Sequence, residues 1–483
     1  MTFFFYDLET SGLDPRRARI MQFAGQRTDT ELNLIGKPLN VLIKLTPDVL
    51  PEPDAIMITG LTPQQTQVDG ITEAEFLKEF YENAVKPDTV FVGFNNIRFD
   101  DEFMRFINYR NLHEPYEWQW RDGRGRWDLL DVVRMTRALR PEGIEWPFAP
   151  NGKPTNRLEF LTSVNKLDHN NAHEAMSDVL ATIAVAKLIQ AKQPELFNYL
   201  LGMRDKKKVA ELVSSGSPFV YTSGRYPSAT LHTTAAVLLA SHTNQDALLV
   251  YDLRHDPTPF LKMSVEELTE AWKYTKDPNV LRLPVKTIKY NRAPAVAPLG
   301  VIKDETTQKR IDLSLETINK HLQILKPNQQ EFTEKLKQVI NLLDEKRAKE
   351  QTSLIEDATS VDSRLYDGFI SDYDKQAMQK VFNYKPTDID STTANIFKDE
   401  RLKMLLPLFK ARNYPSALSP EERSTWDEFC HQQLFTGNND SKLAKYFTRL
   451  SELSKSNLTT DQAYILEELQ LYGQSLMPTE LDS

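Results

Sequence analysis

Phe3-Phe4-Phe5-Tyr6-Asp7-Leu8-Glu9 constrains the architecture more than any later stretch, because aromatic residues run directly into an alternating pair of acids. The run predicts a buried strand whose far end meets solvent. Thr10-Ser11-Gly12 ends it, and Leu13-Asp14-Pro15 begins a loop. Side chains i and i+2 of a strand share a face, so Asp7 and Glu9 stand side by side while Leu8 turns into apolar packing. Two carboxylates held this close repel each other unless a cation lies between them. A hard, oxygen-seeking ion such as Mg²⁺ suits that place. Alone, an Asp-x-Glu pair describes a solvated strand end equally well. The acids downstream change that reading.

The 483 residues suffice for two or three domains with separate cores. Apolar runs are too short for a membrane span, and the N-terminus shows no secretory pattern. A lone cysteine, Cys430, excludes an internal disulfide and suits a reducing cytoplasm, which is the expected location. The net charge of −9 argues against a protein that coats nucleic acid, but leaves room for a local basic groove.

Residues 1–192 mix strand and helix patterns. Strands are expected at 21–25, 40–45 and 89–95, a capped helix at 72–84, and a further helix opening after Asn95-Asn96-Ile97-Arg98-Phe99-Asp100-Asp101-Glu102. Short strand-like runs separated by Gly, Pro and Asn follow between 195 and 310, which predicts a small barrel. From about 311 the pattern is helical, with capping boxes at Ser419 and Thr459 and a polar stretch, 345–365, expected to be a flexible linker. The expected domains are therefore 1–192, 195–348 (a barrel with trailing helices) and 352–483 (all helical).

Asp7, Glu9, Asp100 and Asp178 fall at strand or helix ends of the first region. Four acids can hold two Mg²⁺ ions ~3.5–4 Å apart, one activating a water to attack phosphorus and one steadying the departing oxygen. His173, five residues before Asp178, has the titration range of a base for that water. Singly, Asp100 could be a helix cap and His173 a surface residue. Tyr251-Asp252-Leu253 repeats the first motif but has Arg254 where the second acid would stand, and reads as an ordinary strand end.

The order Asp-x-Glu, Asp, His-x₄-Asp resembles the histidine-containing branch of the DEDD exonuclease superfamily. A longer set resembles bacterial exonuclease I: Phe5-Tyr6-Asp7-Leu8-Glu9-Thr10, the Asn95–Glu102 run, Arg126-Trp127-Asp128-Leu129-Leu130-Asp131, Leu139-Arg140-Pro141-Glu142-Gly143-Ile144 and Asn171-Ala172-His173-Glu174-Ala175-Met176. Tyr366-Asp367-Gly368-Phe369-Ile370-Ser371-Asp372 and Ala411-Arg412-Asn413-Tyr414-Pro415 extend it over nearly the whole chain.

That resemblance implies a ribonuclease H-like α/β nuclease domain, an SH3-like β-barrel and an all-α C-terminal domain. It implies a monomer that digests single-stranded DNA processively, 3′→5′, to 5′-mononucleotides in DNA repair and recombination. The implied cofactor is Mg²⁺, with Mn²⁺ as a substitute. On the matching positions Asp7, Glu9 and Asp178 would be the main metal ligands, Asp100 would complete the set, and His173 would be the general base. Glu9 and Arg157 would meet the terminal nucleotide, and Arg105, Tyr116, Trp120 and Arg134 would line the DNA path. Lys206 and Lys286 offer cations for phosphates. The acidic, phenylalanine-ended tail of single-stranded-DNA-binding protein would dock at Arg140 and Tyr199. The competing readings are an RNA-trimming or proofreading relative and a non-catalytic DNA-binding scaffold.

Overall fold

The computed structural model describes residues 1–168, 174–241, 247–273, 275, 277, 280–357, 360–390, 392–437 and 440–477. The chain divides into two compact units, Met1–Gly125 with His169–Leu180 and Ser360–Ser483, and Arg126–Asp168 with Ala181–Thr359.

The first unit is built on β1 (Thr2–Thr10), β2 (Ile20–Thr28), β3 (Leu34–Leu42) and β4 (Thr89–Gly93), in the order β3-β2-β1-β4. β1 runs antiparallel to β2 and parallel to β4. Alternation along β1 sends Phe4, Tyr6 and Leu8 into a core with Phe23, Phe76, Phe80, Phe91 and Trp118. Phe3 and Phe5 are buried on the opposite face, the one that continues into Asp7 and Glu9. The parallel pairing stops at Phe5 opposite Val92, so the two acids project beyond β4 at the carboxyl end of the strand. That end of an α/β sheet is where ligands collect. A Cβ on Gly93 would lie 2.6 Å from the Asn96 Cβ and 3.1 Å from the Tyr6 carbonyl oxygen, so only glycine lets β4 close against β1 there.

The helix Glu73–Asn83 starts on the expected Thr72/Glu75 capping box, and Asp100–Arg110 follows the Asn95 turn. The C-terminal helices share cores with this sheet region. Phe106, Tyr109 and Leu112 pack with Leu402, Leu405, Phe409 and Trp426, while Met21 and Ile56 pack with Leu443, Tyr446, Ile465 and Leu469. A buried charge network joins them. Arg412 lies 2.7 Å from both Asp48 and Asp362, and Arg19 lies 2.7 Å from Asp362.

β5 (Gly125–Asp128) carries the chain into the second unit. There β6 (Phe219–Thr222), β7 (Thr233–Ser241), β8 (Ala247–Asp252), β9 (Val285–Lys289) and β10 (Ala295–Pro298) form an antiparallel sheet ordered β10-β6-β7-β8-β9. Asp252 ends β8 as a buried acceptor for the Thr234 hydroxyl and the Arg254 amide, an ordinary strand end as expected. Two features differ from expectation. In the described part of the stretch 345–365, expected to be a flexible linker, the helix Leu315–Asp357 runs through the beginning, and Val361 and Leu365 near the end are buried. Charged residues with high helix propensity extend the helix there, and polarity by itself does not separate such a helix from a linker. Helix Val265–Trp272, on a Ser264/Glu267 capping box, also interrupts the strand-like runs, which helices Pro194–Gly202 and Lys206–Ser214 precede.

Candidate active site

Asp7 and Glu9 leave the same face of β1, and the pairing with β2 shifts register immediately after Glu9. Such a bulge re-aims the strand end. Asp178 enters from the first turn of the helix Ala175–Lys192. One carboxylate oxygen from each of Asp7, Glu9 and Asp178 lies within 4.8 Å of the other two; Glu9 is buried and the other two half-buried. Asp100 is buried in the first turn of Asp100–Arg110, near enough for its charge to act on both Asp7 and Glu9. His173 lies outside the described residues.

Burial pushes the Asp7 carboxyl well above the usual carboxylate range, and Asp100, Glu9 and Asp178 push it further. Burial also raises Glu9 to about 8, helped by Asp178, Asp100 and Glu174. Among the described residues, the charges that raise these two acids are carboxylates. A donor set made of carboxylate oxygens, each raising its neighbours' protonation, fits a hard divalent cation.

The same repulsion has a consequence for stability. A carboxyl raised in the fold from 4.5 to about 8 binds a proton that the unfolded chain has released, so its stability is complete below the unfolded value and lost as pH rises toward 8. In EDTA, thermal unfolding of the wild type should therefore fall between about pH 5 and 8 relative to Glu9→Gln. Parallel curves for the two proteins would contradict the assignment.

Sequence reading missed two acids. Asp101 is 0% exposed and accepts a 2.5 Å hydrogen bond from the Tyr6 hydroxyl, whereas Asp100 beside it acts on the cluster. Adjacent acids at a helix start carry no signal for which one turns inward. Glu174 adds to the field at Glu9, with no motif to single it out.

In the first unit, Trp120 is 61% exposed. Tyr116 is half-buried with the Arg105 guanidinium 5.5 Å from its ring centre. Arg105 is buried, held by Glu102 at 2.7 Å and Gln119 at 2.9 Å. Trp118 is core. In the second unit, Arg134 pairs with Asp131 at 2.6 Å, and Arg157, largely exposed, pairs with Glu159 at 2.7 Å. Lys206 is exposed at the start of its helix. Lys286 is half-buried on β9, its ammonium pKa lowered by burial and by Arg282 and Arg225. Arg140 donates to the Leu139 carbonyl at 2.6 Å, and Tyr199 packs against the sheet core, where burial raises its hydroxyl to about 12.

Three family patterns match the chain: Exonuclease over residues 4–186, Exonuclease I SH3-like domain over 204–341 and Exonuclease I C-terminal domain over 359–476. The chain is 37% identical over 484 residues to Exodeoxyribonuclease I of Haemophilus influenzae, covering 99% of each. Among solved structures it is similar to the zinc ion-bound Escherichia coli ExoI–ssDNA complex (36% identity, TM-score 0.88, 98% of this chain and 99% of that one). It is equally similar in sequence to an SSB/Exonuclease I structure with the inhibitor CFAM (36% identity, TM-score 0.85, 99% of each).

Proposed function

The chain belongs to the bacterial exonuclease I family of nucleases, and on that premise we propose that it digests single-stranded DNA processively from the 3′ end, releasing 5′-mononucleotides. The observation that carries this reading is the Asp7–Glu9–Asp178 cluster at the end of β1, with Asp100 acting on it. Asp7, Glu9 and Asp178 would hold Mg²⁺, or Mn²⁺ in its place, with Asp100 completing a set sized for two ions. When bound, the metal supplies positive charge against the scissile phosphate and makes water a better nucleophile at neutral pH.

The chain's own groups do the rest. Asp7, Glu9, Asp178 and Asp100 would hold the metal at the phosphate end, and His173 takes the proton from the attacking water. Trp120 presents an exposed indole on which a base can stack, and Tyr116, steadied by Arg105, offers a second ring. Arg134, Arg157, Lys206 and Lys286 place cations for the backbone, although Arg134 and Arg157 must first exchange an internal carboxylate for a phosphate. Arg140, directly after the helix Leu129–Leu139, and Tyr199, on the helix Pro194–Gly202 that packs with it, would receive the acidic tail of single-stranded-DNA-binding protein.

The test is release of mononucleotides from matched DNA and RNA strands labelled at either end. Immediate loss of a 3′ label from DNA, abolished by EDTA, is expected; preference for RNA would favour the trimming reading, and binding without cleavage the scaffold. Repeating the assay on protein-coated DNA with Arg140→Ala tests the tail site, where no change would remove it.

A further inference from the structure

Two of the three elements that carry the acids are tied together one residue away from them. Tyr6 precedes Asp7 on β1, and Asp101 follows Asp100 at the start of its helix. The Tyr6 hydroxyl donates to Asp101 at 2.5 Å, deep in the protein. The Asn96 amide, from the turn after β4, reaches the same carboxylate at 3.5 Å. Strand, turn and helix therefore meet on one buried acid.

The tyrosine is held as a rigid spacer. Its ring stacks on Phe23 (centroids 5.9 Å apart, 14° between planes) and meets Trp118 edge-on at 6.4 Å and 87°. Phe91 closes a further side at 6.4 Å. With the ring caged, the hydroxyl cannot follow Asp101 if the helix drifts, so the bond fixes the helix start relative to β1. A hydrogen bond to a buried carboxylate is short and strong, and its geometry is exacting. Metal ligands that arrive on separate elements depend on such outer contacts to keep their spacing.

We propose that the Tyr6–Asp101 hydrogen bond is a positioning clamp that sets Asp100 against Asp7 and Glu9, so that the divalent cation meets a preformed acid set. This rests on the reading of those acids as metal ligands. Tyr6 and Asp101 are positioning residues that act through their neighbours.

Calorimetric titration of Mn²⁺ into the metal-free, full-length protein tests both levels separately. Wild type should bind Mn²⁺ and Asp7→Asn should not; failure of that pair sinks the metal-ligand reading itself. Tyr6→Phe keeps the caged ring and removes only the hydroxyl, so it should unfold in a single cooperative transition at a lower temperature than wild type, and well below that transition its Mn²⁺ affinity should drop about tenfold or more. Asp101→Ala should show a similar loss, and the double variant should lose no more than the larger single loss, because both remove one contact. Mn²⁺ affinity of Tyr6→Phe within about twofold of wild type would overturn the clamp. So would losses that simply multiply in the double variant.

Discussion

Asp7→Asn should reduce nucleotide release by about three orders of magnitude while leaving the metal-free protein as stable as wild type, or more so. The two effects have one source. Burial and three neighbouring carboxylates strain the Asp7 charge, and an amide of the same shape removes that strain. The same substitution deletes one of three oxygens that converge within 4.8 Å, so the site loses a ligand for its cation. Wild type should unfold at a higher temperature when Mg²⁺ is added, since a ligand that binds only the folded state stabilises it by mass action. Asp7→Asn should lose most of that shift. A variant that unfolds much earlier than wild type in EDTA, or that still gains the full shift with Mg²⁺, would show that Asp7 is structural.

Arg412→Met should cost about 3–5 kcal/mol of folding stability, although Arg412 touches neither DNA nor metal in the proposed mechanism. Its guanidinium lies 2.7 Å from Asp362 and from Asp48, with all three side chains almost wholly buried. Burial alone would lower the Arg412 pKa; Asp362 and Asp48 more than reverse this and hold it firmly charged. In return Asp362 is held well below the usual carboxylate range despite its own burial, through Arg412 and Arg19. Methionine fills similar space but leaves two buried carboxylates sharing Arg19, and uncompensated buried charge is what makes the loss large.

The pH sign is opposite to that at the acid cluster. Groups with lowered folded pKa values stabilise the protein above the ordinary carboxylate range, and the benefit disappears as pH falls. The variant's deficit should thus shrink on acidification below about pH 4. Urea unfolding would measure it, and a deficit below about 1 kcal/mol would mean that Arg19 alone compensates both acids.

Much of this was legible in short windows of sequence. The aromatic strand and its alternating acids follow from a two-residue period, and the capping boxes at Thr72, Ser419 and Thr459 form as read. Each is a property of neighbouring residues: a pattern, a propensity or a cap.

Other features depend on which surfaces meet. No local rule says that Asp101 is fully buried against Tyr6 while Asp100 acts on the acid cluster, because adjacent positions at a helix start have the same propensities. Polarity alone did not reveal that the stretch after 345 stays helical, or that Val361 and Leu365 are buried beyond it. Nothing local to Arg412 pairs it with Asp48 and Asp362, distant in the chain, which close around it. The sequence by itself determined the identity of the acids and the strand that presents two of them. Their convergence, their desolvation and the raised protonation that follows were decided only by tertiary packing, because electrostatic energies depend on distance and burial, neither of which is a property of a short window of sequence.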